Sequence, residues 1–432
     1  MHGTVIGRRG RVVALSAGLF AIAGLLAACG GHPAHSASSA SSTTTAPAVG
    51  STTTSPVTTA PSSTTTTVPS PSTSSATLPP GPPPGGPVPS GFDPVSFTAI
   101  SDSEYWLLGE APCSNPVCTS IVRTTDGGAH FVGIPAPPAP LDTGSGNGPS
   151  DEVNTVRFAD ALDGYVYDSN GGSAFWATHD GGEHWSQPPL LSGQDLLAFG
   201  TGGGYAFALV GACASGACSN LSLRRSIVGS DAWSPLSVAL PAGATPGAGL
   251  AVHGSNVWLS VSTSAPKQLL LASTSSGSSF ATGTSPCLSQ LGGALQAAGA
   301  DVLWAVCPTG TLAGLWRSTD AGAQWQSLST GSPLPNSALV APASASDAVL
   351  APVGEGQLSI TTDGGTTWQP VPNTVTTGFW VWAGFTDSST GSALSSASSA
   401  PPEWPWPNGP LPEQLWRTSN GGASWSGPVN IG

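Results

Sequence analysis

The sequence predicts an all-β fold, a seven-bladed β-propeller of four-stranded antiparallel blades, from a repeated turn and its spacing. The turn has the form Ser/Thr-x-Asp-x-Gly-x-x-Trp/Phe. Its five clear copies span residues 124–131, 178–185, 318–325, 361–368 and 418–425, the last with Asn in place of Asp. Two degenerate copies, 226–233 and 273–280, lack the acidic residue at the third position. Successive copies lie 43 to 57 residues apart, the length of one four-stranded blade. Because two copies are degenerate, six or eight blades stay open.

Each residue type in the turn suits a tight hairpin. The carboxylate or amide at the third position can accept N–H bonds within the turn, and glycine permits a positive φ. The closing aromatic ring is expected to pack between neighbouring strands. We assign these structural roles to Asp126, Asp180, Asp320, Asp363 and Asn420, and to Phe131, Trp185, Trp325, Trp368 and Trp425.

Every repeat contains four short stretches of alternating polarity, separated by Gly and Asp. In the second repeat, residues 154–159, 164–168 and 174–178 are predicted as strands A, B and C, and the repeated turn leads into strand D. The first repeat begins near Val95 and the last ends at Ile431. Seven whole repeats in the same phase leave no strand to be exchanged between the first and last blades. These two blades should therefore meet mainly by packing.

The turn resembles the Asp-box, or bacterial neuraminidase repeat, of sialidases, sortilin-like receptors, xyloglucanase-type hydrolases and propeller assembly factors. The resemblance covers residues 93–432 and implies a propeller. It implies little about activity, because the box is a structural element and one fold carries many chemistries.

The first 28 residues have the features of a secretory signal. Arg8, Arg9 and Arg11 precede an apolar run over 12–26, and Leu-Ala-Ala precedes Cys29. This end resembles a bacterial lipobox, which implies diacylation of Cys29 and removal of residues 1–28. An ordinary signal with an incidental cysteine stays open. We expect an exported protein, lipid-anchored to the outer face of the cell membrane.

Residues 29–92 are predicted to form a disordered tether between the anchor and the propeller. They consist almost entirely of Ser, Thr, Pro, Ala and Gly, a composition that cannot bury a core. A flexible coil of this length spans roughly 45 Å. The propeller would therefore stand clear of the membrane.

The remaining six cysteines support export to an oxidising compartment. They fall into three neighbouring pairs, which we predict to be disulfides: Cys113 with Cys118, Cys213 with Cys218, and Cys287 with Cys307. Zinc binding is disfavoured because the pairs lack neighbouring histidines. No cofactor or metal site is predicted.

The charge of the chain excludes some classes of partner. The formal net charge is −13, and removal of the signal would leave 7 Lys and Arg against 23 acidic residues, or −16. Such a surface disfavours nucleic acid and anionic lipid. We expect a monomer that binds an envelope protein or glycan, with a preference for cationic partners.

The strand order places the longer loops on one face of the propeller. Turns between strands A and B, and the repeated turns between C and D, share one face, whereas B–C and D–A loops share the other. The second face should be the binding face, because loops on a rigid scaffold commonly carry function. Its candidate ligand-binding residues are Asp142, Asp151, Glu152, Glu403, Trp404, Trp406 and Glu413.

Two classes of enzyme are alternatives to this binding hypothesis. Sialidases use an arginine clamp and a tyrosine nucleophile, but Arg123, Arg225, Arg317 and Arg417 share one structural repeat position. Sialidase activity is therefore not expected, and we assign no catalytic residue. A glycoside hydrolase with paired carboxylates remains the alternative to a non-catalytic scaffold.

Overall fold

The computed structural model shows seven antiparallel sheets, each formed by consecutive strands, arranged as a seven-bladed propeller. It describes residues 82–113, 118–142, 151–214, 216–244, 248–328, 330, 334–335, 338–352, 356–374, 380–396, 413–429 and 431. The predicted fold and blade count are confirmed. No helix long and apolar enough to cross a membrane occurs in these ranges.

The first three blades follow the predicted order. Blade 1 contains β1 (Asp93–Ala99), β2 (Tyr105–Ala111), β3 (Cys118–Thr124) and β4 (Val132–Ile134). Blade 2 contains β5 (Thr155–Phe158), β6 (Gly164–Tyr167) and β7 (Phe175–Thr178), with one bridge from Ala177 to Ser186 at the place of strand D. Blade 3 contains β8 (Asp195–Gly202), β9 (Tyr205–Ala214), β10 (Ala217–Ile227), β11 (Ser234–Pro235) and β12 (Gly243–Ala244).

The other four blades repeat this arrangement. Blade 4 contains β13 (Gly249–His253), β14 (Asn256–Val261), β15 (Lys267–Ser273) and β16 (Ala281–Leu288). Blade 5 contains β17 (Ala294–Ala297), β18 (Leu303–Pro308), β19 (Leu312–Ser318), β20 (Gln326–Leu328) and β21 (Leu334–Pro335). Blade 6 contains β22 (Leu339–Pro342), β23 (Ala348–Ala351), β24 (Ser359–Thr361) and β25 (Gln369–Pro370). Blade 7 contains β26 (Trp380–Phe385), β27 (Gly391–Ser396), β28 (Glu413–Thr418) and β29 (Ser426–Val429).

Blades 1 and 7 meet by side-chain packing and not by exchange of a strand, as expected. Each sheet contains only its own consecutive strands. The rings of Phe97 and Trp382 lie 4.8 Å apart across the closure. Arg417 lies over the Tyr105 ring at 4.4 Å and donates to the carbonyl of Asp102 at 2.6 Å. One cationic side chain thus joins the last blade to the first.

The repeated turns share one pattern of hydrogen bonds. In the first, the Thr124 hydroxyl donates to Asp126 at 2.8 Å, and the Gly128 N–H donates to Thr124 at 3.0 Å. The Asp126 carboxylate also accepts the His130 N–H at 2.9 Å. The same contacts recur at Asp180, Asp320, Asp363 and Asn420. These bonds hold the carboxylate or amide within the turn. At Asp363, the Thr367 hydroxyl and then the Thr367 N–H lower the pKa to about 2.

Arginines at the end of strand C join blades 3, 5 and 7 to the next blade, whereas Arg123 of blade 1 donates to the segment before that blade. Arg225 donates to the Ser276 carbonyl of blade 4, and Arg317 donates to Gly364 of blade 6 at 2.7 Å. Blades 2, 4 and 6 carry Ala177, Ala272 and Ile360 at this position. In blade 4 the Trp258 indole makes the equivalent bond, to the Ala321 carbonyl at 2.9 Å. These arginines are interblade contacts, which explains their regular spacing.

The described part of the tether packs on blade 1. Gly86 and Gly133 exchange backbone hydrogen bonds of 2.8 and 2.9 Å, and Val88 and Phe92 pack against the core between blades 1 and 7. The Arg123 guanidinium donates to the Pro83 carbonyl at 2.5 Å. The boundary at residue 93 stays a prediction, but residues 82–92 contact the propeller. Composition did not predict these contacts, because Val88 and Phe92 are isolated among Pro, Gly and Ser and the other contacts use backbone groups and proline rings.

Candidate functional site

The two faces of the propeller differ in their structure. We call the face with the A–B turns and the repeated turns the turn face, and the opposite one the loop face. The predicted pairs are disulfide-bonded, and each lies towards the loop face. Cys213 and Cys218 pair directly across extended strands β9 and β10, and Cys287 lies within β16, whereas the sequence placed these cysteines in loops. The strands are longer because pairing continues past a bulge.

Carboxylates and amides form a network on the loop face of blade 2. The Asn154 amide donates to Asp168 at 3.0 Å and approaches Asp142 at 3.4 Å. Asn170 donates from its side chain to Asp142 at 3.2 Å and from its backbone N–H to Asp168 at 2.7 Å. Two acidic groups from separate loops are therefore held around one asparagine.

The other two described candidates of this region lie beside the network. Asp151 is exposed and accepts a hydrogen bond of 2.9 Å from the Ser173 hydroxyl. Glu152 follows it and is half-buried. The sequence groups Asp142, Asp151 and Glu152 in one loop and places Asp168, directly after β6, on the same face, but not among the candidate ligand-binding residues. Only the strand pairing brings Asp168 next to Asn154.

Asp168 also borders a cavity of ≈ 160 Å³ at the loop-face end of the inner strands. Tyr167 and Phe199 contribute rings whose centroids lie 5.0 Å apart. Its other lining residues are Ser169, Leu196, Leu197, Ala198, Ala248 and Leu250, and polar atoms form a large part of its surface. A mixed polar and apolar space with a carboxylate at its edge suits a ligand that combines apolar surface with a positive charge.

The electrostatics of Asp168 follow from its position. The side chain is only 3% exposed, and burial raises the pKa of its carboxyl above the usual range. The Asn170 N–H and the Asn154 amide oppose this increase in pKa, whereas the nearby Asp142 charge adds to it. A cation bound beside Asp168 would stabilise the ionised carboxylate.

The remaining candidates are placed less fully. Glu403, Trp404 and Trp406 lie outside the described residues, as does Cys29. Glu413 is the first residue of β28, at the loop-face end of blade 7. Lys267 starts β15 and is exposed. The Arg224 guanidinium donates hydrogen bonds to the Leu190 carbonyl and, at 2.7 Å, to the Gln194 side chain.

A charged triad on the turn face was not predicted. His179 donates from Nδ1 to Asp163 at 2.6 Å and from Nε2 to Asp231 of blade 3 at 2.9 Å. Hydrogen bonds to Asp163 and then to Asp231 raise the pKa of His179 to about 10. The triad joins blades 2 and 3, a junction without an arginine at the end of strand C.

The histidines of the second repeated turn do not converge. His179 faces the triad, whereas His184 contacts Asp180 at 2.8 Å, as His130 contacts Asp126 at 2.7 Å. Asp180, Glu183 and His184 do have ligand atoms within 4.8 Å of one another. The recurrence of the His–Asp contact shows that it belongs to the geometry of the turn.

Comparison with known proteins finds distantly similar solved structures and no match in sequence. No family model matches the chain, and no curated protein matches it in sequence. Among solved structures, YCF48 bound to a D1 peptide is 17% identical, with a TM-score of 0.48 over 77% of this chain and 95% of that one. A GH74 enzyme of Niastella koreensis is 11% identical, with a TM-score of 0.33 over 77% and 71%. A polysaccharide lyase of family PL25, an ulvan lyase, is 9% identical, with a TM-score of 0.49 over 79% and 97%. Similar structures thus include both a peptide-bound protein and carbohydrate-active enzymes.

Proposed function

We propose that this chain is an exported lipoprotein, anchored at Cys29, whose Asp-box propeller binds a protein or glycan of the cell envelope without catalysis. The loop face is the binding surface and favours cationic partners. The observation that carries this proposal is the joint position of Asp142 and Asp168 around Asn154, beside a cavity that Asp168 borders.

Charge on the loop face supports a cationic partner. Asp142, Asp151, Glu152 and Asp168 lie in two neighbouring loops of blade 2. Arg224 of blade 3 already donates to the Leu190 carbonyl and to the Gln194 side chain, which lie before the first strand of that blade. Opposite charges across an interface increase the association rate and select partners.

We also assign the proline-rich stretch 401–413 to the proposed surface, because it lies between strands B and C of blade 7 in the sequence. Its sequence includes two large aromatic residues, Trp404 and Trp406. Aromatic residues of this kind anchor protein partners and stack on sugars. We propose that these two rings make the apolar contact with the partner and that the acidic residues make the electrostatic contact with it.

The triple variant Asp142→Asn, Asp151→Asn and Glu152→Gln is expected to bind a dodecalysine peptide about tenfold more weakly than the wild type. Each of the three charges contributes about 0.5 kcal/mol to such an association, and salt reduces the contribution. Titration by fluorescence anisotropy at two salt concentrations measures the effect.

The matched control removes three charges from the turn face: Asp102→Asn, Glu183→Gln and Asp301→Asn. All three residues are exposed. The control should bind the peptide as the wild type does. Equal weakening in both variants would mean that net charge, and not the loop face, determines binding.

A glycoside hydrolase is the second candidate, and one observation favours it. Asp142 and Asp168 share the Asn154 amide, and burial raises the pKa of Asp168, as a general acid requires. If the chain is a hydrolase, sugar release from a polysaccharide panel should fall at least a thousandfold in Asp168→Asn, by analogy with loss of a catalytic acid. The binding proposal predicts no sugar release by either protein.

A further inference from the structure

A thin segment at the start of the described chain crosses the outer side of blade 1. We call residues 82–90 the strap. Its first two residues are prolines that lie against the repeated turn of blade 2, and Gly86 exchanges backbone hydrogen bonds with Gly133 of the outer strand β4. Residues 84–87 are exposed, and Val88 packs on the core between blades 1 and 7. A segment with so little buried apolar surface opens at a lower free energy than the blades do.

The prolines take a place that an arginine takes at another junction. Arg317 of blade 5 donates to the carbonyl of Gly364 in blade 6 at 2.7 Å, and its Nη1 lies where a Cβ on Gly364 would be. Gly181 is the equivalent fourth residue of the repeated turn in blade 2. A Cβ on Gly181 would lie 2.7 Å from Pro82 Cβ and 2.9 Å from Pro83 Cδ. Prolines therefore fill between blades 1 and 2 the space that a guanidinium fills between blades 5 and 6.

Arg123 is thereby diverted from the carbonyl that its position in the repeat predicts. It donates to the Pro83 carbonyl at 2.5 Å, and its Nε and Nη1 have no hydrogen-bond partner among the described residues. Arg317, by contrast, makes three hydrogen bonds. The two turns are built alike, because the N–H of Gly181 and that of Gly364 each donate at 2.8 Å to a carbonyl of the adjacent A–B turn. The Gly181 carbonyl is therefore placed to accept from Arg123 once the prolines leave.

We propose that the strap is releasable and that Arg123 exchanges one acceptor for another when it leaves. In the docked state Arg123 bonds to the Pro83 carbonyl, and the chain that precedes the strap leaves the propeller at the turn face. In the released state Arg123 bonds to the Gly181 carbonyl, as the arginine of blade 5 bonds to blade 6. Because a buried guanidinium without an acceptor is costly, this second acceptor keeps the cost of release small. Release lengthens the free segment before the propeller and uncovers the outer strand of blade 1, and neither effect depends on the function proposed for the loop face.

Hydrogen exchange of the full chain, followed by mass spectrometry, tests whether the strap opens separately from the blade. In the wild type, the amides of residues 85–92 should exchange faster than those of β1, β2 and β3. In Gly133→Val they should exchange at least about tenfold faster still, since their local opening then costs less. A Cβ on Gly133 would lie 2.7 Å from the Pro87 carbonyl oxygen and 3.2 Å from Pro89 Cδ, whereas valine itself suits a strand. The matched control is Gly283→Val in the outer strand of blade 4, where a Cβ would meet no atom closer than 3.9 Å, and it should leave exchange of the strap unchanged.

Removal of the arginine tests the second acceptor. In the Gly133→Val background, Arg123→Met should speed amide exchange in the turn 178–185 at least about threefold, because it removes the new hydrogen bond to that turn. Val88→Ser, a change within the strap, is a second way to release it and should give the same results as Gly133→Val. The proposal is overturned if strap exchange is unchanged in both releasing variants, or if exchange in β1, β2 and β3 rises together with that of the strap. It is also overturned if Arg123→Met leaves exchange in the turn 178–185 unchanged in the released protein.

Discussion

Replacing Cys287 and Cys307 with alanine is expected to lower the free energy of unfolding by about 3 kcal/mol. The bond joins the outer strand of blade 4 to the second strand of blade 5, and both cysteines are buried. On the turn-face side of this junction, the Trp258 indole bonds to the Ala321 carbonyl. The disulfide crosses the same junction towards the loop face, so its removal breaks the covalent link between the two blades there.

Denaturant unfolding of the oxidised proteins measures this effect. The matched control replaces Cys113 and Cys118, which close a loop of 5 residues where Cys287 and Cys307 close one of 20. The shorter loop should contribute about 1 kcal/mol less, because its closure restricts the unfolded chain less. Equal losses in the two variants would contradict the larger contribution to stability that is assigned to the disulfide at the junction of blades 4 and 5.

Replacing His179 with glutamine is expected to lower the free energy of unfolding by roughly 1–3 kcal/mol at pH 6, after allowance for partial exposure. The pKa of His179 is raised to about 10 from an ordinary value of 6.5 by its bonds to Asp163 and Asp231. A raised pKa means that the folded state binds the proton more tightly than the unfolded state. The stabilisation is complete below pH 6.5 and is lost as the pH rises towards 10.

Unfolding at pH 6, 8 and 10 therefore distinguishes the two proteins. The advantage of the wild type over His179→Gln should shrink steadily as the pH rises. His130→Gln is the control, because its side chain is 87% exposed against 34% for His179 and its partner lies in the same turn. If the stability advantage of the wild type over His179→Gln does not change with pH, His179 contributes to stability by packing only.

The repeated turn made the architecture predictable because its interactions are local. Thr124, Asp126 and Gly128 bond within a few residues, so a sequence pattern records them directly. The spacing of the turns then sets the blade length. The arginines at the end of strand C could also be recognised as structural from their periodic position, although their acceptors could not be identified.

The site residues are harder to predict because they come together only across strands or blades. Asp168 and Asp142 are 26 positions apart and meet through Asn154. Asp231 lies 52 positions from His179, in a degenerate turn that gives no signal of its partner. The proline segment 82–83 could not be separated by composition from the tether that precedes it. In each case the missing information is the neighbour in space.

Recovery of a partner from envelope extracts tests the central claim, that the loop face of the propeller binds an envelope component. The wild type, the loop-face variant Asp142→Asn, Asp151→Asn and Glu152→Gln, and the turn-face variant Asp102→Asn, Glu183→Gln and Asp301→Asn are immobilised at equal density. The account predicts that one partner is recovered by the wild type and the turn-face variant, and is lost from the loop-face variant. Equal recovery by all three proteins would contradict it.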